Sequence, residues 1–186
     1  MKKIFLILII SFYITACKAQ QSIPKIASDK VKVNNTNYRL IRPNNKVTQI
    51  INTNNKLTNV KQVAPNLPLD IPIPAYSKFD KKLLIQICAE AIPLNKLQKL
   101  PQGYNDDIYI YMKINTKGEP LEMGFLVSNT SLITPNEIQQ IEEKIMKSSF
   151  KVTFKHGIEQ YFDGANYFNI NIWIKYSDIL KAKEIS

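Results

Sequence analysis

Two stretches of strict alternation joined by a turn that calls for glycine set the fold class of this chain. Ile108, Ile110, Met112 and Ile114 alternate with Tyr109, Tyr111 and Lys113, and Leu121, Met123, Phe125 and Val127 fall at every second position further on. A period of two is the signature of a strand with one buried face. Between them Asn115-Thr116-Lys117-Gly118 puts glycine where a hairpin turn needs positive φ. The stretch predicts an antiparallel hairpin, and everything after it has to cover the apolar side.

The cover is legible as well. Thr134-Pro135-Asn136-Glu137 reads as an N-cap, a proline at the first helical position and the glutamate that closes a capping box. The helix it opens runs to about Lys147 with Ile138, Ile141 and Ile145 inward, while Glu142 and Glu143 read as its solvated face. Upstream, Asp80 caps a helix carrying Leu83, Leu84, Ile87, Cys88 and Ala91, stopped by Pro93. A short helical turn with Leu94, Leu97 and Leu100 follows, closed by Pro101. Downstream, Phe150, Val152 and Phe154 alternate as one strand, and Phe168, Ile170, Ile172, Ile174 and Tyr176 share a face in another. The expected class is α+β: a small antiparallel sheet with two helices packed on one face, preceded by an irregular or weakly β Asn-rich arm.

The organisation along the chain follows from its punctuation. Residues 1–16 read as a signal peptide, 17–28 as a tether, 29–63 as the Asn-rich segment, 64–76 as a Pro-rich connector, 77–178 as the α+β domain and 179–186 as a polar, frayed tail. In the Asn-rich segment Val31-Lys32-Val33, Tyr38-Arg39-Leu40-Ile41 and Val47-Thr48-Gln49-Ile50-Ile51 are separated by Asn pairs at 34–35, 44–45 and 54–55. Asn tolerates the left-handed backbone of tight turns, which admits hairpin-like strands as well as a weakly β or irregular course. Pro65, Pro68, Pro72 and Pro74 favour an extended connector.

The N-terminus speaks for export. Lys2 and Lys3 precede an apolar run from Ile4 to Ile14, the length of a signal-peptide core and short of the roughly 20 residues that span a bilayer. Ile14-Thr15-Ala16-Cys17 then resembles the bacterial lipobox. That resemblance implies a diacylglycerol on the Cys17 thiol, cleavage before it, and a membrane held through the N-terminal lipid. A soluble product cut after Ala19 and an uncleaved anchor are the alternatives. Lys18 in place of an aspartate leans towards the outer membrane, facing the periplasm. The formal charge is +10, of which Lys2 and Lys3 leave with the signal. In an exported chain such an excess suits anionic headgroups, envelope polymers or acidic protein patches, and no nucleic acid is expected.

The run from strand to capped helix to strand also resembles the C-terminal domain of TonB-like proteins. The matching stretch is Tyr109 to Val152, where IYMKINTKGEPLEMGFLVSN follows that family's strand, turn and strand around Gly118, and the helix with Phe150 after it holds the family's positions. The resemblance implies a module that accepts a peptide strand along a sheet edge. The family's energy transducers keep an N-terminal membrane helix and a long Pro-rich spacer. A lipobox and a short spacer depart from that pattern, so contact with an inner-membrane motor is not implied.

Chemistry is sparse. His156, in a loop beside Lys155, is the only histidine of the 186 residues, so neither a Ser-His-Asp set nor a zinc site is supported. Cys88 reads as a small core residue, and Asn105-Asp106-Asp107 as an acidic bend lacking a full calcium-loop ligand set. No cofactor and no catalytic residue is expected. Tyr109, Tyr111 and Trp173, with Tyr161 and Tyr167, either form a binding strip on the outer sheet face or pack under a helix, the commoner fate of aromatic side chains. The expected function is that of a non-enzymatic, lipid-anchored envelope module with an envelope protein or peptide as partner. A cell-wall polymer or carbohydrate ligand is the alternative, and a soluble periplasmic protein the other.

Overall fold

The computed structural model describes residues 27–65, 73–100 and 106–185. The signal peptide, Cys17, most of the tether, Pro68 and Pro72 of the connector, Pro101, Asn105 and Ser186 lie outside the described residues.

Among the described residues six strands form one antiparallel sheet; in order across it they are β1 (Ala27–Val33), β2 (Thr36–Arg42), β3 (Val47–Asn52), β6 (Pro120–Ser128), β5 (Asp107–Ile114) and β8 (Phe168–Lys175). A second, two-stranded sheet pairs β4 (Ser77–Lys78) with β7 (Thr153–Phe154). Four α-helices are present among the described residues: α1 (Lys81–Ala91), the single turn α2 (Leu94–Leu97), α3 (Pro135–Lys147) and α4 (Tyr176–Ile185).

The register explains the core. Ile172, Ile110, Phe125, Ile50 and Leu40 are successive partners across five strands, and all are buried. Ile170, Met112 and Met123 make a parallel row. Onto this face pack α1, α3 and α4, with Leu84, Ile87, Cys88, Ile138, Ile141, Ile145 and Ile179 buried at the contact. Each such side chain withdrawn from water contributes about 1.5–3 kcal/mol, set against the entropy of ordering it.

The local signals are realised as read. Asp80 Oδ1 accepts from Leu83 N–H at 3.1 Å at the start of α1. At the start of α3, Thr134 N–H and the Thr134 hydroxyl both donate to Glu137, at 2.8 and 2.6 Å. Glu137 is drawn into a second task, accepting from Lys96 Nζ of α2 at 2.8 Å. Burial pushes its carboxyl up, and the bonds from Lys96 and Thr134 outweigh that and hold it below the usual range.

The rest departs from expectation in four ways. The Asn-rich segment is no irregular arm: its three pieces are β1, β2 and β3, and β3 pairs with β6 from Val47–Ser128 to Ile51–Gly124. Strands on both sides of the Pro-rich stretch therefore share one sheet and one core. The Asn pairs are its turns, with Asn34 at φ 49° and Asn44 Oδ1 accepting from the backbone of Lys46 and Val47. The expected frayed tail is helix α4, because Tyr176 and Ile179 recur at helical spacing on its buried side and Lys183 Nζ donates to Ala89 O at 2.7 Å. The alternation of Phe150, Val152 and Phe154 does not make a strand of the main sheet; only Thr153 and Phe154 pair, and with β4. Finally, Leu121 is 39 % exposed, since the register of β5 against β6 shifts at Lys113/Ile114 and its position lies at the rim of the core.

Candidate binding face

The helices occupy one side of the sheet, and among the described residues no helix covers the other. Alternation points Tyr109, Tyr111 and Lys113 of β5, Asn169, Asn171 and Trp173 of β8, Glu122, Gly124 and Leu126 of β6, and Gln49 and Ile51 of β3 onto that outer face. Tyr109 and Trp173 are cross-strand partners with ring centroids 4.8 Å apart, and Tyr111 follows at 6.4 Å from Tyr109. Trp173 is 53 % exposed, a high value for the largest side chain. The three expected site residues are thus brought together as one row, and the alternative that they pack under a helix does not hold, because the helices lie on the opposite face. Tyr167 is not part of the row. It is buried, and its hydroxyl donates to Val60 O at 2.7 Å.

Tyr111 lies down rather than standing out. Its ring crosses Gly124, where a Cβ would collide with it, and its hydroxyl accepts from Gln49 Nε2 at 2.9 Å. Burial pushes this hydroxyl up to about 12, so it stays protonated. The aromatic row therefore continues flush into the surface of β6 and β3.

Beyond it, residues 53–65 cross the outer face as a strap. Asn55 Nδ2 donates to Met123 O at 2.8 Å, Leu57 N–H to Glu122 at 2.9 Å, and Lys113 Nζ to Leu57 O. Lys113 also pairs with Glu122 at 3.2 Å and sits over the Tyr167 ring at 4.7 Å. Asn166 closes the far end, accepting from Val63 N–H at 2.9 Å and donating to Lys61 O at 3.0 Å. Between strap and sheet runs a cleft in two adjoining parts. The part beside Tyr111, about 180 Å³, is lined by Gln49, Ile51, Asn55 and Lys113 among others. The next, about 230 Å³, shares Ile51, Asn55 and Thr58 with it and ends at Arg39 and Lys30.

The fold has a counterpart among solved structures. The chain is similar to a DUF5043 family protein from Bacteroides uniformis ATCC 8492, known from a crystal structure at 1.85 Å resolution, with a TM-score of 0.56 and 16 % sequence identity over 84 % of this chain and 92 % of that chain. What the two share is the fold. No family model matches the chain, and no curated protein matches it.

The titratable groups elsewhere are held by structure. Glu142 is not on a solvated face. It is 8 % exposed, accepting from the Tyr38 hydroxyl at 2.6 Å and from Asn52 Nδ2 at 3.2 Å. Burial raises its pKa against those two bonds. The signal was available: position 142 completes the spacing set by Ile138, Ile141 and Ile145, so it had to face inward beside them. Glu143 is exposed, as expected. Cys88 is fully buried, and burial pushes its thiol up to about 12, which leaves it protonated and out of reach. His156 is exposed in the loop after β7. Among the described residues no group of three or more His, Cys, Asp and Glu is placed to hold a metal ion.

Proposed function

We propose that this chain is a non-enzymatic binding module of the cell envelope, held to a membrane through Cys17, which docks a partner polypeptide on the outer face of its sheet. The observation that carries the reading is the row of Trp173, Tyr109 and Tyr111 on the outer face, exposed at Trp173 and running into the cleft at Tyr111. Trp and Tyr supply much of the energy at protein interfaces because they bury a large area while fixing few torsions. Strand β8 ends the sheet, so a strand added there, as the TonB-like resemblance implies, would run beside Trp173. Its backbone would pair with β8 while its outward side chains met the aromatic rings.

A photo-crosslinking residue in place of Trp173 tests this in intact cells. A single defined envelope protein should be recovered, with none from the same residue at Met146, which is exposed on α3. Trp173→Ala should weaken binding of that protein by about tenfold or more, the effect of losing an interface anchor. Equal recovery from both positions would sink the proposal. The amides of Asn171 and Gln49 beside the rings favour a second reading, a glycan lying on the aromatic row. Retention on cell-wall polysaccharide that depends on Trp173, without any protein adduct, would select it.

The anchor has its own test. Labelled palmitate should enter the wild-type chain and not Cys17→Ser; a wild-type protein that stays unlabelled and begins at Gln20 would remove the lipid from the proposal. Among the described residues no helix is long and apolar enough to cross a membrane.

A further inference from the structure

The cleft does not end neutrally. Lys30 of β1 and Arg39 of β2 are direct cross-strand partners, and both project from the outer face into its far part. Two like charges opposite each other on an antiparallel pair repel, a cost that a sheet selected for stability alone avoids. Neither is relieved from within: among the described residues no carboxylate pairs with Lys30 or Arg39, whereas Arg42 on the same hairpin is bonded to Asp29. The remaining lining is Ile51 with Asn52, Thr53, Asn55, Thr58 and Asn59 and no acid; the side chains of Asn52, Thr53 and Asn55 already donate to Glu142, Asn37 O and Met123 O, which leaves Thr58 and Asn59 as its neutral hydrogen-bonding groups. Asn55 and Thr58 belong to the strap, which is pinned by Glu122 and Lys113, so those side chains are held over the sheet beside the two cations.

We infer that the Lys30–Arg39 end of the cleft is an anion site, and that its occupant is a carboxylate side chain on an acidic segment of the docked polypeptide. The inference rests on the proposed function and adds the charge of the partner to it. Arg39 supplies the planar fork that grips a carboxylate with two parallel bonds, Lys30 a second positive charge, and Thr58 and Asn59 the neutral donors. Successive strands stand about 4.8 Å apart, and the row Asn171, Tyr111, Gly124, Ile51, Arg39, Lys30 crosses all six. A stretch of the partner that leaves the β8 edge beside Trp173 and crosses the outer face along that row would pass over Tyr111 and set an acidic side chain between Arg39 and Lys30. The basic excess of the chain thereby has a specific address on its surface.

The test uses the full-length protein in detergent and a short oligoglutamate peptide, compared with the same peptide carrying Gln at every position. The acidic peptide should bind and the neutral one should not. Joint substitution Lys30→Gln and Arg39→Gln should weaken binding by about tenfold or more, in line with the loss of charge-assisted bonds. Binding should also fall less steeply with salt in that variant. Joint Lys117→Gln and Lys151→Gln, equal in charge and outside the cleft, should leave the affinity unchanged. Equal loss in both double variants would reduce the site to a generic basic surface and overturn the inference. Equal binding of the neutral peptide would overturn it too, as would tighter retention of inorganic phosphate or dextran sulfate through the same two residues. The Trp173 crosslink separates the two readings: an adduct that persists without discrimination by Lys30 and Arg39 removes only the anion site, and its absence removes the docked polypeptide.

Discussion

Gly118→Ala is expected to be among the most destabilising single methyl additions in this protein, lowering stability by about 3 kcal/mol or more in a urea titration. Gly118 sits at φ 82° in the β5–β6 hairpin, where any L side chain is strained, and its missing Cβ leaves room for the backbone of Val152, whose carbonyl oxygen an alanine would overlap. The two segments are bonded there, Val152 N–H donating to Gly118 O at 2.9 Å. Neither partner can swing away, because one is the turn and the other the buried chain leaving α3. Gly164 and Gly157 supply the control. They share the positive φ, at 75° and 93°, but a Cβ at either meets nothing within 4 Å, so alanine there should cost only the backbone term, about 1 kcal/mol. If Gly118→Ala cost no more than Gly164→Ala, the close approach of Val152 would be wrong.

Gly124→Ala should act on the binding face instead. A methyl group at this position on β6 collides with the outer end of the Tyr111 ring, which, unlike backbone, can rotate away. The ring would stand up from the sheet, giving up its contact with β6 and the bond from Gln49. A loss of about 2 kcal/mol is expected, from one hydrogen bond and part of an aromatic burial, together with loss of partner binding. The origin is checked by a double-mutant cycle. In a Tyr111→Ala background there is no ring to displace, so Gly124→Ala should be nearly silent, with a coupling energy of about 1–2 kcal/mol. Additive effects would place the damage elsewhere in the sheet.

The parts of this structure legible in its sequence are those where one local signal decides the outcome. The capping box at Thr134, the cap at Asp80 and the turn at Gly118 each determine their surroundings within a few residues, and each is realised. The row of Tyr109, Tyr111 and Trp173 was legible as a set because alternation fixes which side chains share a face. It does not fix which face the helices choose. What escaped reading were pairings made at a distance. The pieces around Val31, Leu40 and Ile50 read either as hairpin-like strands or as an irregular course, and what their own residues do not show is the seam with the later hairpin, where Ile50 lies beside Phe125 in a shared core. Likewise Tyr176–Ile185 is polar at half of its positions, and it is a helix because α1 offers a surface for Tyr176 and Ile179. The cleft was invisible for the same reason, being formed only when the strap after β3 lies down across β5 and β6.

The pairing of β3 with β6 also sets an order of events. Synthesis delivers β1, β2 and β3 first, with Ile50 and an unsatisfied backbone edge waiting for a partner that is made only after the strap, α1, α2 and β5. The β5–β6 hairpin closes its own short loop at little entropic cost, whereas the seam closes a long one. In the interval β3 is the kind of open edge that recruits foreign strands. Were the chain exported as proposed, that edge would cross ahead of its partner strand, and the time to the arrival of β6 would set how long it stands open.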